Sequence, residues 1–171
     1  IEIQDYGSQL IALACAAKLG MNVLDLCAGA GGKTLALAMD MGGEGHLIAA
    51  DTSRARLGEL PKRAARAGAT IETRLLNGGQ EREELADLRE QCDIVLIDAP
   101  CSGTGTWRRN PETRWRLTPD RLADLVKTQA MLLDMGAQLV CPGGVLVYAV
   151  CALTEAEGCA QIDGFLIRND A

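Results

Sequence analysis

Five short apolar runs alternate with segments of helical spacing, and that alternation constrains the fold more than any other feature. Asn22-Val23-Leu24-Asp25-Leu26, His46–Asp51, Thr70–Leu76, Asp93–Ile97 and Val145–Val150 read as strands. Helical spacing covers 6–19, 33–41, 53–67, 81–89 and a long stretch from Pro119 to about Val140, and a last helix opens at Thr154. Cys141-Pro142-Gly143-Gly144 is expected to stop the long helix ahead of the fifth strand. Such a chain closes as an α/β fold, a parallel sheet with helices on both faces. Right-handed crossovers favour the doubly wound order 3-2-1-4-5. No repeat, linker or low-complexity tract interrupts it, so residues 1–171 are expected to form one domain. Ligands of these sheets bind beyond the carboxyl ends of the strands. Cys27-Ala28-Gly29, Asp51, Asp98-Ala99-Pro100-Cys101 and Cys151 are therefore expected to converge on one crevice.

Composition narrows the classes. No apolar run reaches the roughly 20 residues of a membrane span. The seven cysteines are odd in number and scattered, with no C-x-x-C pair, which gives a metal site little support. Reduced thiols in a cytosolic protein are the simpler reading. A net charge of −6 argues against a surface coated for nucleic acid. That charge is uneven, however. Arg108, Arg109, Arg114, Arg116 and Arg121 face only Glu112 and Asp120 within residues 101–121, a local +3. Such a patch suits one anionic substrate entering at one place, or simply a solvated loop. Trp107 and Trp115 lie in the same stretch, and each reads first as a packing residue.

The first strand ends in Leu24-Asp25-Leu26-Cys27-Ala28-Gly29-Ala30-Gly31-Gly32-Lys33-Thr34, a turn where backbone can approach a ligand closely. A phosphate-binding P-loop fails there, because its leading glycine falls on Cys27. A dinucleotide fingerprint fits at Gly29 and Gly31 but meets Thr34 at the third glycine. S-adenosylmethionine also lies across a glycine-rich first turn, with an acid at the end of strand two on its ribose hydroxyls. Asp51 stands where that acid is needed.

Cys15, Cys92, Cys141 and Cys159 read as small buried hydrophobes. Cys27 belongs to the glycine turn and needs no thiol chemistry. Cys101 and Cys151 differ, since each follows a strand and the two strands are expected to be neighbours. The single histidine, His46, opens strand two at the wrong edge of the sheet for a Cys–His dyad. Thr154-Glu155-Ala156-Glu157 has the spacing of a capping box, which would place a helix N-terminus just after Cys151 and favour its thiolate modestly.

Gln4–Leu10, the glycine turn, Asp98-Ala99-Pro100-Cys101-Ser102-Gly103 running into Arg108-Arg109-Asn110-Pro111, and Tyr148–Gly158 occur in an order that resembles a known family. The chain is similar over nearly its whole length to the RNA cytosine-5 methyltransferases of the Nol/Nop/Sun type, closest to the bacterial Sun (RsmB-like) ribosomal RNA enzymes. The resemblance implies a Rossmann-like methyltransferase core that binds S-adenosylmethionine and acts on RNA. It implies Cys151 as the nucleophile at cytosine C6, Cys101 as the group that assists breakdown of the adduct, and Asp98 on the cytosine edge. Cofactor contacts carry over to Cys27, Ala28, Gly29, Ala30, Gly31, Gly32, Lys33, Asp51, Arg56, Asn77 and Asp98. Arg108, Arg109, Arg114 and Arg116 are placed to meet RNA phosphates, and a tryptophan could stack on a base.

The sequence also departs from that pattern. Gly29-Ala30 replaces the usual Ala-Pro, Asn77 stands where aspartate is common, and Val150 replaces a threonine before Cys151. A C-terminal hairpin and an N-terminal RNA-binding segment are expected outside this stretch. Two other readings stay open: a DNA cytosine methyltransferase with Cys101 as nucleophile, and an inactive cofactor- and RNA-binding module.

Overall fold

The computed structural model describes residues 3–169. The chain falls into two compact units, residues 1–98 with 136–147 and residues 99–135 with 148–171. The first contains α1 (Tyr6–Cys15), β1 (Asn22–Asp25), α2 (Gly32–Asp40), β2 (His46–Asp51), α3 (Arg54–Leu57), α4 (Leu60–Ala67), β3 (Glu72–Leu75), α5 (Glu81–Glu84) and β4 (Cys92–Asp98). Helix α6 (Pro119–Leu139) begins in the second unit and ends in the first, while β5 (Val140–Ala149) crosses in the other direction. The second unit adds short 3-10 turns at Thr104–Thr106, Pro111–Arg116 and Glu155–Glu157, then α7 (Cys159–Arg168).

The sheet has the expected order, β3-β2-β1-β4-β5. Strand β1 runs parallel to β2 and β4, and β2 runs parallel to β3. Val23 lies opposite both Leu47 and Ile94, so alternate residues point to one face. On that face Val23, Leu47, Ile94 and Leu96 pack with Cys15 of α1 and with Leu37 and Met41, on and just after α2. Leu57, Leu60 and Ala64 close over Ala49 and Leu35. The opposite face carries Leu24, Ile48, Val95 and Ile97, all buried. Gly136 of α6 lies so close to Ile97 and Leu146 that a Cβ there would come within 2.8 Å of the Cδ1 of each and make both side chains shift. Burying one of these leucines is worth about 2 kcal/mol, and the near-continuous apolar strands are what a sheet covered on both faces needs.

Several elements differ from the sequence expectation, each for a local reason. Helix α1 stops at Cys15 because Ala16 turns left-handed, with φ 50°, and returns its N–H to Leu13. The expected helix over 53–67 is two helices, since Pro61 can open a helix but has no N–H to continue one. The polar helix near 81–89 is a single turn, α5, followed by a 3-10 turn at Ala86–Leu88. Strand β3 is shorter than expected, at Glu72–Leu75. Strand β5 starts at Val140, so Cys141-Pro142-Gly143-Gly144 belongs to it and separates no elements. Pro142 is tolerated because β5 is an edge strand. The expected helix at Thr154 is a three-residue turn, and α7 begins only at Cys159.

Candidate active site

Within the first unit, the segment between β1 and α2 forms a cradle. Gly29 and Gly31 take positive φ, 56° and 82°, and Gly31 caps α2 with no side-chain hydrogen bond. A Cβ on Gly31 would lie 2.2 Å from Leu60 Cδ1, so no other residue fits without displacing the core. Asp51, buried at the end of β2, accepts from Gly29 N at 2.8 Å and Ser53 N at 2.6 Å. The Arg56 guanidinium sits 3.3 Å from the same carboxylate. Those three bonds leave acceptor capacity on a carboxylate with about four lone-pair sites. Arg63 donates to the carbonyl of Ala30 and braces the turn from outside. Lys33, in the first turn of α2, pairs with Asp98 at the end of β4 at 2.5 Å. Cys27 and Ala28 are half-buried in the turn. Burial, aided by Asp25, Asp51 and Asp98, drives the Cys27 thiol far up, so it stays protonated. Asn77 is tied to Glu84, donating from N at 2.8 Å and from Nδ2 at 2.5 Å.

Asp25 is a residue that the sequence reading missed. It is 1% exposed, accepts from Thr34 Oγ1 at 2.7 Å through Oδ2, and has no partner at Oδ1. Burial is the main cause that raises its pKa to about 7; Thr34 opposes that, while Asp98 and Asp51 add to it. The signal was present: a carboxylate in the middle of an apolar strand has to answer to something.

In the second unit, Cys101 and Cys151 bring their sulfurs to 3.3 Å. Cys101 is half-buried and Cys151 exposed. The hydrogen bond with Cys151 is the first cause that pushes the Cys101 thiol far up, and burial adds to it. The segments carrying them are stitched together. Gly105 N donates to Cys151 O at 2.9 Å, Leu153 N to Thr104 Oγ1 at 2.7 Å, and Ala99 N to Ala149 O at 2.9 Å. A Cβ on Gly105 would lie 2.9 Å from the Cys151 carbonyl oxygen, which explains a glycine there.

The capping box expected at Thr154–Glu157 is absent. Glu157 is fully buried and turns inward, accepting from Ser102 N at 2.7 Å, Ser102 Oγ at 2.5 Å, Thr154 Oγ1 at 2.7 Å and Gln129 Nε2 at 3.1 Å. Helix α7 starts eight residues past Cys151, so it does not begin at the position that the capping box implied. Glu157 is the second buried carboxylate that the sequence reading misses, because its spacing to Thr154 mimics a cap.

Arg108, Arg109, Arg114 and Arg116 are all exposed. Both tryptophans depart from the packing expectation: Trp107 is 38% exposed and Trp115 is 76% exposed, with the Arg114 guanidinium 4.4 Å above the Trp115 ring. Cys15 and Cys92 are buried, as expected of small hydrophobes, and burial raises their thiols to about 12 and about 11. Cys141 is half-buried, and Cys159 is exposed, contrary to that expectation. His46 opens β2 and bonds Glu72 at 2.7 Å. Among the described residues no group of His, Cys, Asp and Glu could hold a metal, and no helix is long and apolar enough to cross a membrane.

The family model described as 16S rRNA methyltransferase RsmB/F matches residues 12–171. A probable ribosomal RNA small subunit methyltransferase B of Synechocystis is 39% identical over 164 residues, covering 96% of this chain and 36% of the relative. The ribosomal RNA small subunit methyltransferase B of Thermus thermophilus is 38% identical over 169 residues, covering 99% of this chain and 40% of the relative. A crystal structure of NSun6 from Pyrococcus horikoshii with SFG is 28% identical, with a TM-score of 0.82, covering 96% of this chain and 41% of that one. The chain spans about two-fifths of the length of these relatives. Its sheet is the Rossmann-like sheet of S-adenosylmethionine-dependent methyltransferases. Fold, motif order and family match agree: the chain belongs to the RsmB/F family of 16S rRNA methyltransferases.

Proposed function

We propose that this chain is the catalytic core of an enzyme that methylates C5 of cytosine in ribosomal RNA through a covalent adduct at C6. The observation that carries the reading is the 3.3 Å approach of the Cys101 and Cys151 sulfurs in a chain of this family. A methyltransferase acting on a nitrogen or an oxygen has no need of two thiols side by side.

S-adenosylmethionine, when bound, supplies the methyl group. The residues of the first unit suit it. Asp51 keeps acceptor capacity for ribose hydroxyls, Gly29 and Gly31 leave the backbone bare, and the unpartnered Asp25 Oδ1 offers a buried acceptor under the turn. Cys27, Ala28, Ala30, Gly32 and Lys33 line the same turn. Arg56 and Asn77 are assigned a cofactor role by family alone; Arg56 is engaged with Asp51, and both donors of Asn77 go to Glu84.

Cytosine C5 is a poor nucleophile. The Cys151 thiolate adds to C6, which pushes the ring electrons toward C5 and makes it enamine-like. C5 then takes the methyl group, a base removes the C5 proton, and the C6–S bond breaks to return the thiolate. The raised Cys101 thiol keeps its proton, so Cys101 serves as an S–H donor to the Cys151 sulfur and assists its departure. Asp98, paired with Lys33, hydrogen-bonds the cytosine edge and steadies a protonated N3. The base must leave its stack to be reached. Arg108, Arg109, Arg114 and Arg116 hold the phosphates, and exposed Trp115 stacks a base, with Arg114 already on one of its faces.

Mapping 5-methylcytosine in cellular ribosomal RNA with and without the gene tests the reading. One site that loses its methyl group on deletion supports it; an unchanged map refutes it and leaves the binding-module reading standing.

A further inference from the structure

Glu157 is a carboxylate with no place in the chemistry above, yet it is fully buried and accepts four hydrogen bonds. Its donors come from three directions. Ser102 follows Cys101, Thr154 lies three residues after Cys151, and Gln129 comes from the middle of α6. The same Gln129 Nε2 also donates to Pro100 O at 2.9 Å, and Gln161 Nε2 donates to Gln129 Oε1 at 3.4 Å and Val126 O at 2.6 Å. Tyr148 Oη donates to the Glu157 carbonyl at 2.8 Å, fixing the backbone as well as the side chain. Ser102 N and Gln129 Nε2, which can only donate, both meet Oε1, while the hydroxyls of Ser102 and Thr154 donate to Oε2. Burial raises its pKa, but the bonds from Ser102, Thr154 and Gln129 outweigh burial, and it lies below the usual carboxylate range.

We infer that Glu157 is the positioning residue of the thiol pair: its ionised carboxylate clasps the segment after Cys101 to the segment after Cys151 and so sets the sulfur–sulfur distance. Ser102 and Thr154 are its two grips, Gln129 its anchor. Its role is to act through the segments it ties. A buried charge costs folding energy unless fully paired, so a carboxylate spent here answers to geometry. The inference rests on the proposed function for its purpose, though not for its test.

The test uses the full-length protein with Glu157→Gln and Ser102→Ala. In a glutathione redox buffer, oxidised glutathione closes Cys101 and Cys151 to a disulfide and leaves two reduced glutathiones. Mass spectrometry of that equilibrium gives the effective concentration of one thiol toward the other. Glu157→Gln, which removes the charge shared by the four donors and puts an NH2 group in place of one of the two oxygens, is expected to lower it by about tenfold, and Ser102→Ala by several-fold. The turnover number for RNA methylation falls in parallel, with the KM for RNA and cofactor binding unchanged. A residue that only stabilises the fold would lower the melting temperature and leave the effective concentration alone. Unchanged effective concentration in either folded variant overturns the inference, and Ser102→Ala decides it alone if Glu157→Gln does not fold. A lowered effective concentration in a protein that makes no 5-methylcytosine sinks the proposed function and leaves the positioning role intact.

Discussion

Two carboxylates are buried to nearly the same degree, Asp25 in the glycine-turn region and Glu157 in the two-cysteine region, and they behave oppositely. Asp25 has one partner, Thr34, and one empty oxygen, and its pKa rises to about 7. Glu157 has four bonds from three donor residues and a lowered pKa. Burial alone therefore says little about a charge. What counts is whether the surroundings present donors, and in the proposed reading the two regions differ because they do different work. A region that waits for a ligand keeps an acceptor unspent. A region that must hold two of its own side chains at a fixed separation spends every acceptor it has.

The largest effect expected from this contrast is at Glu157. Truncation to alanine leaves four donor groups facing a cavity, at a cost of about 3 kcal/mol or more in urea unfolding. A loss under about 1 kcal/mol would mean that the network contributes little.

Asp51→Ala removes the acceptor offered to the cofactor and the anchor of Gly29. Calorimetry is expected to show S-adenosylmethionine binding weakened by about 1–3 kcal/mol. Tighter binding of NAD or ATP than of S-adenosylmethionine would overturn the account of the turn.

Asp25→Asn sharpens the comparison through pH. A carboxyl raised from 3.8 to about 7 binds its proton more tightly folded than unfolded, so it subtracts stability as pH climbs through that window. The variant is expected to gain on the wild type between pH 5 and pH 8, by on the order of 1 kcal/mol, in paired thermal melts. Glu157 has the opposite sign, since its contribution is present above the ordinary carboxylate range and lost as pH falls below it. Parallel pH curves for Asp25→Asn and wild type would show that Asp25 is not held against its charge.

The smallest effect is on the surface. Replacing Arg108 and Arg109 with alanine in the full-length protein removes up to two phosphate contacts, and the slope of log affinity against log salt is expected to flatten by about 1 to 2. An unchanged slope returns this stretch to a solvated loop.

The two regions also differ in how far the sequence disclosed them. The glycine turn, Asp51 and the strand order are legible because they are local. A strand, a turn and a helix lie within 20 residues, and periodicity announces each. The clasp is not local. Ser102 and Glu157 are 55 residues apart, and Gln129 and Glu157 are 28 apart. Read along the chain, Thr154 and Glu157 carry a helix cap's spacing, and only the folded chain shows that the donors to Glu157 come from elsewhere. Strand β5 is longer than its sequence suggests for a similar reason, as Pro142 and two glycines look like a stop until an edge position makes them admissible. Trp115 reads first as a packing residue, yet it is exposed, with Arg114 over one face of its ring.

The central claim is that the two neighbouring thiols do unequal work, and trapping of the RNA adduct tests it most directly. Full-length Cys101→Ala and Cys151→Ala proteins are incubated with RNA and S-adenosylmethionine, then run on denaturing gels. The account predicts that Cys101→Ala transfers the methyl group but releases product slowly, leaving a covalent protein–RNA band. It predicts neither band nor 5-methylcytosine from Cys151→Ala. A band that persists in Cys151→Ala and is lost in Cys101→Ala would contradict it and make Cys101 the nucleophile, as in the DNA-type reading.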